Sequence, residues 1–333
     1  MQTVMRGELN IDPYVTHTFK GLDKVNDSIE ALHSGDCLRA IVEIADSPFA
    51  VAKTPSLKGN VKVEGGKLQQ LSHWSDVCQC EMTFSIFLPE LKSRTGPPPP
   101  VVFYLSGLTC TDENARTKAH FARAAAEEGL CVVFPDTSPR GVNIPGEDDS
   151  YDFGSGAGFY VNATVEPWAR HYQMYDYVTK ELPGVIESFY YVDMERQSIM
   201  GHSMGGHGAL VAHLRNPGRY KSVSAFAPIS HPTSSDWGRK QFEGYLGSMD
   251  AGKAYDAVVL ADSYQGPKVP LLVDQGTSDP FLESLQVDKL YDAFKRNGLP
   301  IELRMQPLYD HSYFFISTFM KDHVKFHAKA LFQ

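Results

Sequence analysis

The chain has 333 residues, 42% hydrophobic and 21% charged, with a net charge of −9, a composition that describes a globular protein with a substantial core and excludes disordered and collagen-like classes. The acidic balance, with no basic run or aromatic-interleaved basic patch, leaves a nucleic-acid partner without electrostatic support. No apolar stretch nears the roughly 20 residues of a membrane helix and the start lacks a basic-then-apolar leader, so a cytoplasmic protein without membrane association is expected.

Taken in chain order, the first 45 residues form a separable pattern. Leu22, Val25, Ile29 and Leu32 recur at helical spacing, Asp23 suits the helix start and Gly35 its end, and an apolar run from Leu38 to Ile44 follows as a strand. Residues 1–45 therefore read as a small β-α-β extension, too small to bury its own apolar face. Residues 46–58 lose periodicity and gain Ser47, Pro48, Pro55 and Ser56, which marks a linker. Residues 59–333 form the main domain. It opens with a strand pair, Gln69 to Trp74 and Cys80 to Leu88, and the buried strand Val101 to Leu105. Helices are predicted over Phe121 to Glu128, Tyr172 to Glu187, Gly206 to Leu214, Ser284 to Lys295 and Ser317 to Leu331. Between them fall strands at Cys131 to Pro135, Gln197 to Met200, Ser222 to Ala227, Val269 to Asp274 and Ile301 to Met305. Apolar strands alternating with helices imply a mostly parallel sheet covered on both faces, an α/β architecture.

The stretch Gly201-His202-Ser203-Met204-Gly205 is a G-x-S-x-G between an apolar run and an Ala/Leu-rich helical pattern, the nucleophile elbow of an α/β-hydrolase. Small residues two positions either side of Ser203 let strand and helix approach closely. A serine hydroxyl needs a base and a carboxylate to orient that base. In this fold they follow in the order Ser, acid, His, each after a strand. The loop after Val269 to Asp274 holds Asp279, and the loop after Ile301 to Met305 holds Asp310 and His311. Asp274 ends its strand too early and Asp310 adjoins the histidine it would orient, which leaves Asp279 as acid and His311 as base. Among the other histidines, His202 and His207 flank the serine but point away on an elbow, and His213 and His231 read as packed or exposed. His323 and His327 stand at i,i+4 without a third ligand and read as solvated helix-face residues.

The oxyanion of the tetrahedral intermediate needs two N–H donors, one after the nucleophile and one from the loop after an earlier strand. Met204 supplies the first, and Leu108 in Leu105-Ser106-Gly107-Leu108-Thr109-Cys110 the second. Cys110 then lies near the pocket, where thiol reagents are expected to inhibit. The five cysteines are odd in number and lack a C-x-x-C, which argues against disulfides and a zinc site; Cys78 and Cys80 read as packing residues on a strand. Gly154 to Gly158 lacks the third glycine and preceding strand of a dinucleotide loop and reads as a flexible loop. Glu147, Asp148, Asp149 and Asp152 lack Ca²⁺-loop spacing and read as solvated surface. No cofactor or metal is expected.

Several motifs extend this reading. Leu105 to Thr111, Pro135-Asp136-Thr137-Ser138-Pro139-Arg140-Gly141, Gly154 to Tyr160, Gly201 to Leu210, Ser224 to Ile229 and Tyr309-Asp310-His311-Ser312-Tyr313 together resemble the S-formylglutathione hydrolase (esterase D) family over roughly residues 57–333. The resemblance implies the triad Ser203, Asp279 and His311, an oxyanion hole of the Leu108 and Met204 N–H groups, and hydrolysis of S-formylglutathione to glutathione and formate. It also implies a cytosolic enzyme without metal, often dimeric, and places Trp237 in the Ser230 to Lys240 loop near the entrance. Residues Asp12 to His17, Val25-Asn26, Leu32-His33-Ser34-Gly35 and Leu38-Arg39 resemble instead the C-terminal end of class III alcohol dehydrogenase. There the residue matching Arg39 holds coenzyme phosphates, but with no coenzyme fingerprint or zinc-ligand set, dehydrogenase activity is not expected. The chain reads as the end of a dehydrogenase–hydrolase fusion, with association with a dehydrogenase as a corollary. A broad carboxylesterase and a non-catalytic module of a formaldehyde-oxidising assembly are the alternatives.

Overall fold

The computed structural model describes residues 54–90 and 96–333, together with the backbone of residues 17–20 and 40–43. The chain divides into two units, residues 55–184 with 192–333, and residues 1–54 with 185–191. In the latter, β1 (His17–Lys20) and β2 (Ala40–Glu43) pair in parallel, with His17 opposite Ala40. A parallel pair needs a crossover connection, as a strand-helix-strand order requires. The helix expected there, Leu22 to Leu32, lies outside the described residues.

The larger unit is built on one nine-stranded sheet. Its strands are β3 (Ser56–Val63), β4 (Gly66–Ser75), β5 (Cys80–Pro89), β6 (Pro100–Leu105), β7 (Cys131–Pro135), β8 (Asp193–His202), β9 (Tyr220–Phe226), β10 (Leu271–Gly276) and β11 (Ile301–Gln306). They lie in the order β11-β10-β9-β8-β6-β7-β5-β4-β3. Neighbours from β11 to β7 are parallel, and β5, β4 and β3 add antiparallel. Strands β6, β7 and β10 are buried at every residue; β6 and β7 are uninterrupted apolar runs, as inner strands require, whereas β10 also buries Asp274 and Gln275. The main helices are α1 (Asp112–Lys118), α2 (Ala122–Glu128), α3 (Leu182–Phe189), α4 (Met204–Arg215), α5 (Asp236–Leu246), α6 (Ala257–Ser263), α7 (Val287–Arg296) and α8 (Tyr313–Leu331). This is the expected α/β-hydrolase architecture, with most strands longer by one to four residues than their apolar cores. Among the described residues no helix is long and apolar enough to cross a membrane.

Several expectations are corrected. The helix predicted over Tyr172 to Glu187 is interrupted by a π-turn at Tyr177–Glu181. Pro183 explains the break, because it has no N–H to give the carbonyl four residues earlier, and its ring clashes with it. That carbonyl, of Thr179, accepts instead from the Arg219 guanidinium. The linker gives way to β3 from Ser56, an edge strand whose exposed Leu57 and Val61 conceal its strand character. His323 and His327 are fully buried rather than solvated, because α8 lays them against β9. Of the acidic group, Asp148 and Asp149 are exposed, whereas Glu147 is buried and accepts from the Tyr172 hydroxyl and Asp152 from Lys240. Cys78 lies in the β4–β5 turn and only Cys80 on the strand; both are buried thiols. Gly154 to Gly158 is a pinned loop, with Gly154 bridging Ala157 and the Gly156 carbonyl accepting the Thr109 N–H at 2.9 Å.

Candidate active site

Strand β8 ends at His202, and the chain turns at once into α4, leaving Ser203 at φ 56°, ψ −119°. A non-glycine residue there costs on the order of 1–3 kcal/mol and persists only where its surroundings over-determine it. They do so here. A Cβ on Gly201 would lie 2.2 Å from the Gly205 carbonyl oxygen, and one on Gly205 2.0 Å from that of Leu105. Backbone bonds complete the clamp, since the Ser203 N–H donates to Phe226 (2.9 Å) and its carbonyl accepts from Ile229 (3.2 Å).

The loops after β10 and β11 meet beside this turn. His311 Nδ1 lies 2.6 Å from Asp279 Oδ2. The same carboxylate accepts from Gln275 Nε2 (3.0 Å) and from the Phe281 N–H (2.8 Å). Burial pushes the Asp279 carboxyl up, but the His311 bond and charge, with these donors, hold it below its ordinary value. An ionised Asp279 fixes the His311 proton on Nδ1 and leaves Nε2 free to accept, the tautomer a general base needs. The two loops are tied together by the Ser278 N–H, which donates to the Tyr309 carbonyl at 2.9 Å. The His202 ring connects base and serine. Its centroid is 4.5 Å from that of His311, and a Cβ on Gly107 would touch both His202 Nδ1 and Ser203 Cβ at 3.2 Å. Burial, with the His311 charge, keeps His202 neutral, well below the usual histidine value.

Leu108 is half-buried in the loop after β6, and Met204 is the buried first residue of α4, whose N–H has no partner within the helix. The β6 loop is strained, with Thr109 at φ 66°, and it is braced from several sides. The Tyr160 hydroxyl donates to the Ser106 carbonyl (2.9 Å), while the Thr137 hydroxyl and Arg140 Nη2 donate to that of Cys110 (2.5 and 2.9 Å). The Pro135 to Gly141 and Gly154 to Tyr160 motifs are therefore braces of the loop that holds Leu108, a role that no short-range pattern discloses. Cys110 is buried with Sγ 3.9 Å from the Tyr313 hydroxyl, and burial pushes its thiol up. Half-buried Trp237 lies with its ring centroid 5.2 Å from that of Phe281, which in turn meets His311 edge-on at 5.1 Å. Phe281 and Gln275 are site residues that the sequence reading missed. The surface depression lined by Leu282, Gln286, Val287, Leu303 and Met305 includes none of the triad and is not the site. Among the described residues no three His, Cys, Asp or Glu side chains are grouped to hold a metal.

Residues 75–326 match the family model described as "Putative esterase". An S-formylglutathione hydrolase of Mus musculus is 51% identical over 270 residues, spanning 80% of this chain and 95% of the relative. One of Arabidopsis thaliana is 50% identical over 276 residues, spanning 82% and 96%. Among solved structures, an S-formylglutathione hydrolase from Agrobacterium tumefaciens is 48% identical and superposes with a TM-score of 0.79, covering 83% of this chain and 99% of its own.

Proposed function

The chain belongs to the S-formylglutathione hydrolase family, and from that premise we propose that it hydrolyses S-formylglutathione to glutathione and formate through Ser203, His311 and Asp279. His311 Nε2 takes the Ser203 hydroxyl proton, and the serine oxygen attacks the formyl carbon. The negative charge that develops on the carbonyl oxygen is met by the Leu108 and Met204 N–H groups. The C–S bond breaks and His311 passes its proton to the departing glutathione sulfur, a good leaving group that needs little acid assistance, so that His311 is neutral again. His311 then deprotonates a water that attacks the acyl-enzyme, and formate departs with Ser203 reprotonated. The observation that carries this reading is the 2.6 Å His311–Asp279 bond beside a serine held in a strained strand-to-helix turn.

A thiolate is a good leaving group, so selectivity rests on holding the glutathionyl arm and on a small acyl pocket. Trp237, packed against Phe281, stands for the entrance wall, and Cys110 for the floor beneath the oxyanion loop. Comparing kcat/KM for S-formylglutathione and simple aryl esters tests the substrate; equal values would favour a broad carboxylesterase. We read residues 1–45 as the dehydrogenase-like segment, 46–55 as its connection to the hydrolase domain, which starts with β3 at Ser56, and the whole as a cytoplasmic product of gene fusion. The parallel pairing of β1 and β2 supports the first of these. Homodimerisation and dehydrogenase association follow from the family resemblances. Sedimentation of the purified chain, alone and with a glutathione-dependent dehydrogenase, tests both.

A further inference from the structure

One row of residues crosses the carboxyl end of the sheet just before each of the three site loops begins. His202 on β8 is in register with Phe226 on β9, Phe226 with Asp274 on β10, and Asp274 with Arg304 on β11. Ser203 follows the first immediately, Asp279 lies five residues after the third, and His311 seven after the fourth. Helix α8 places His323 on this row. Its ring stacks on that of Phe226 at 3.8 Å between centroids and 19° between planes, and its Nε2 lies 3.1 Å from Asp274 Oδ2.

His323 also begins a buried polar chain. Nδ1 is 2.8 Å from Ser224 Oγ, Ser224 Oγ is 2.8 Å from His327 Nε2, His327 Nδ1 is 2.7 Å from Ser222 Oγ, and Ser222 Oγ is 2.8 Å from Ser198 Oγ. Its outer end is fixed by Arg304, which gives Nε and Nη2 to the two Asp274 oxygens at 2.7 and 2.5 Å, and by Gln306 Nε2 at 3.0 Å. Burial raises the Asp274 carboxyl, yet the Arg304 and His323 bonds hold it far below the ordinary range. An ionised Asp274 only accepts, so every proton downstream is assigned. His323 donates from Nε2 and accepts at Nδ1 from Ser224. Ser224, its one hydrogen used, accepts from His327 Nε2, and His327 Nδ1 accepts from Ser222, which accepts from Ser198. The chain has one direction, and no donor is opposed by another donor.

We propose that His323 is a positioning residue for the nucleophile: locked between Asp274 and Ser224, its ring fixes Phe226, whose carbonyl holds the Ser203 N–H. The adjoining backbone shares the constraint, since the Ala227 N–H donates to the Asp274 carbonyl at 2.8 Å and Ala227 is at φ 44°. Asp274 thus joins β9 to β10 through its backbone while its side chain seats His323. Loss of this support shifts the serine within its turn, which affects bond formation more than substrate capture.

The inference rests on Ser203 being the nucleophile, which fluorophosphonate labelling of the unaltered chain and its Ser203→Ala variant tests separately. Rates of S-formylglutathione hydrolysis are then compared for His323→Leu, His323→Gln and Phe226→Leu. The control is Ser75→Ala, which removes a buried hydroxyl on β4 that accepts the Cys78 N–H at 2.8 Å, remote from the site. His323→Leu and Phe226→Leu are expected to lower kcat about tenfold with KM changed by less than about twofold. His323→Gln, which restores a donor to Asp274, is expected to recover part of the loss, and Ser75→Ala to lower the melting temperature with kcat unchanged. A folded His323→Leu with kcat within about twofold of the unaltered chain overturns the positioning role, as does KM rising in step with the loss. If His323→Leu does not fold, Phe226→Leu decides by the same criteria. Label on Ser203 with an unaltered kcat in these variants refutes the positioning alone; label elsewhere refutes the nucleophile.

Discussion

Replacing Asp279 by Asn tests the acid and the base together. The carboxylate accepts three hydrogen bonds: His311 Nδ1 and Gln275 Nε2 meet Oδ2, and the Phe281 N–H meets Oδ1. Asn offers one oxygen and one NH₂. With its oxygen kept on the Phe281 N–H, its NH₂ faces two donors, and the nearest relief is for His311 to move its proton to Nε2. That tautomer cannot accept the Ser203 proton. Flipping the amide keeps His311 correct but opposes the NH₂ to the Phe281 N–H, leaving buried donors unpaired at roughly 1–3 kcal/mol. The wrong tautomer therefore prevails, and in a Ser-His-Asp triad this costs about 10⁴ in kcat, or about 5 kcal/mol of barrier. The assay is steady-state hydrolysis of S-formylglutathione, with KM expected to stay close to that of the unaltered chain. Far-ultraviolet circular dichroism confirms that the variant is folded. A kcat within about tenfold of the unaltered value would refute Asp279 as the orienting acid and direct attention to Asp310, which accepts from the Ser312 hydroxyl and N–H at the start of α8.

Gly205→Ala places a methyl group 2.0 Å from the Leu105 carbonyl oxygen; the strand and helix must separate, and a loss of at least about 3 kcal/mol in urea unfolding is expected, together with activity. Burial lowers the pKa of His202, His207, His213, His323 and His327. Below the ordinary value near 6.5 the unfolded chain takes up protons that the folded one refuses. Stability therefore falls as pH drops from 6.5 toward the folded values, about 4 for His207 and His213. The cost at pH 5.5 is about 1 kcal/mol for each of His207 and His213, whose folded values lie well below that pH. A urea midpoint that is flat between pH 7.5 and 5.5 would contradict this. Cys110 is buried with its thiol pushed up, so inactivation by iodoacetamide is expected to be slower than for a free thiol and to accelerate with pH beyond 9; rapid loss at pH 7 would show the loop opening.

What was legible in the sequence was whatever a backbone constraint forces into local pattern. Gly201 and Gly205 stand where a Cβ would strike a carbonyl, and Asp279 and His311 follow the last two strands, β10 and β11, in chain order. The braces of the oxyanion loop were visible as motifs but mute as to role. Thr137, Arg140, Gly156 and Tyr160 act on residues up to 54 positions away, a relation that the parallel pairing of β6 and β7 creates by bringing the loops after them together. The buried histidines were misread for a different reason. An i,i+4 pair flanked by Lys321 and Lys325 has the same period whether it faces water or the core. The deciding signal was on another strand. Ser222 and Ser224 stand two apart in an otherwise apolar run, roughly 6.6 Å along a strand, and residues four apart on a helix are separated by about 6 Å. Two hydroxyls and two imidazoles at matching intervals fit each other when the helix lies along the strand, and a polar pair in a buried strand has to find such partners. The alternation of serines in β9 was thus the mark of a polar face covered by α8, and the histidines at 323 and 327 were what could cover it.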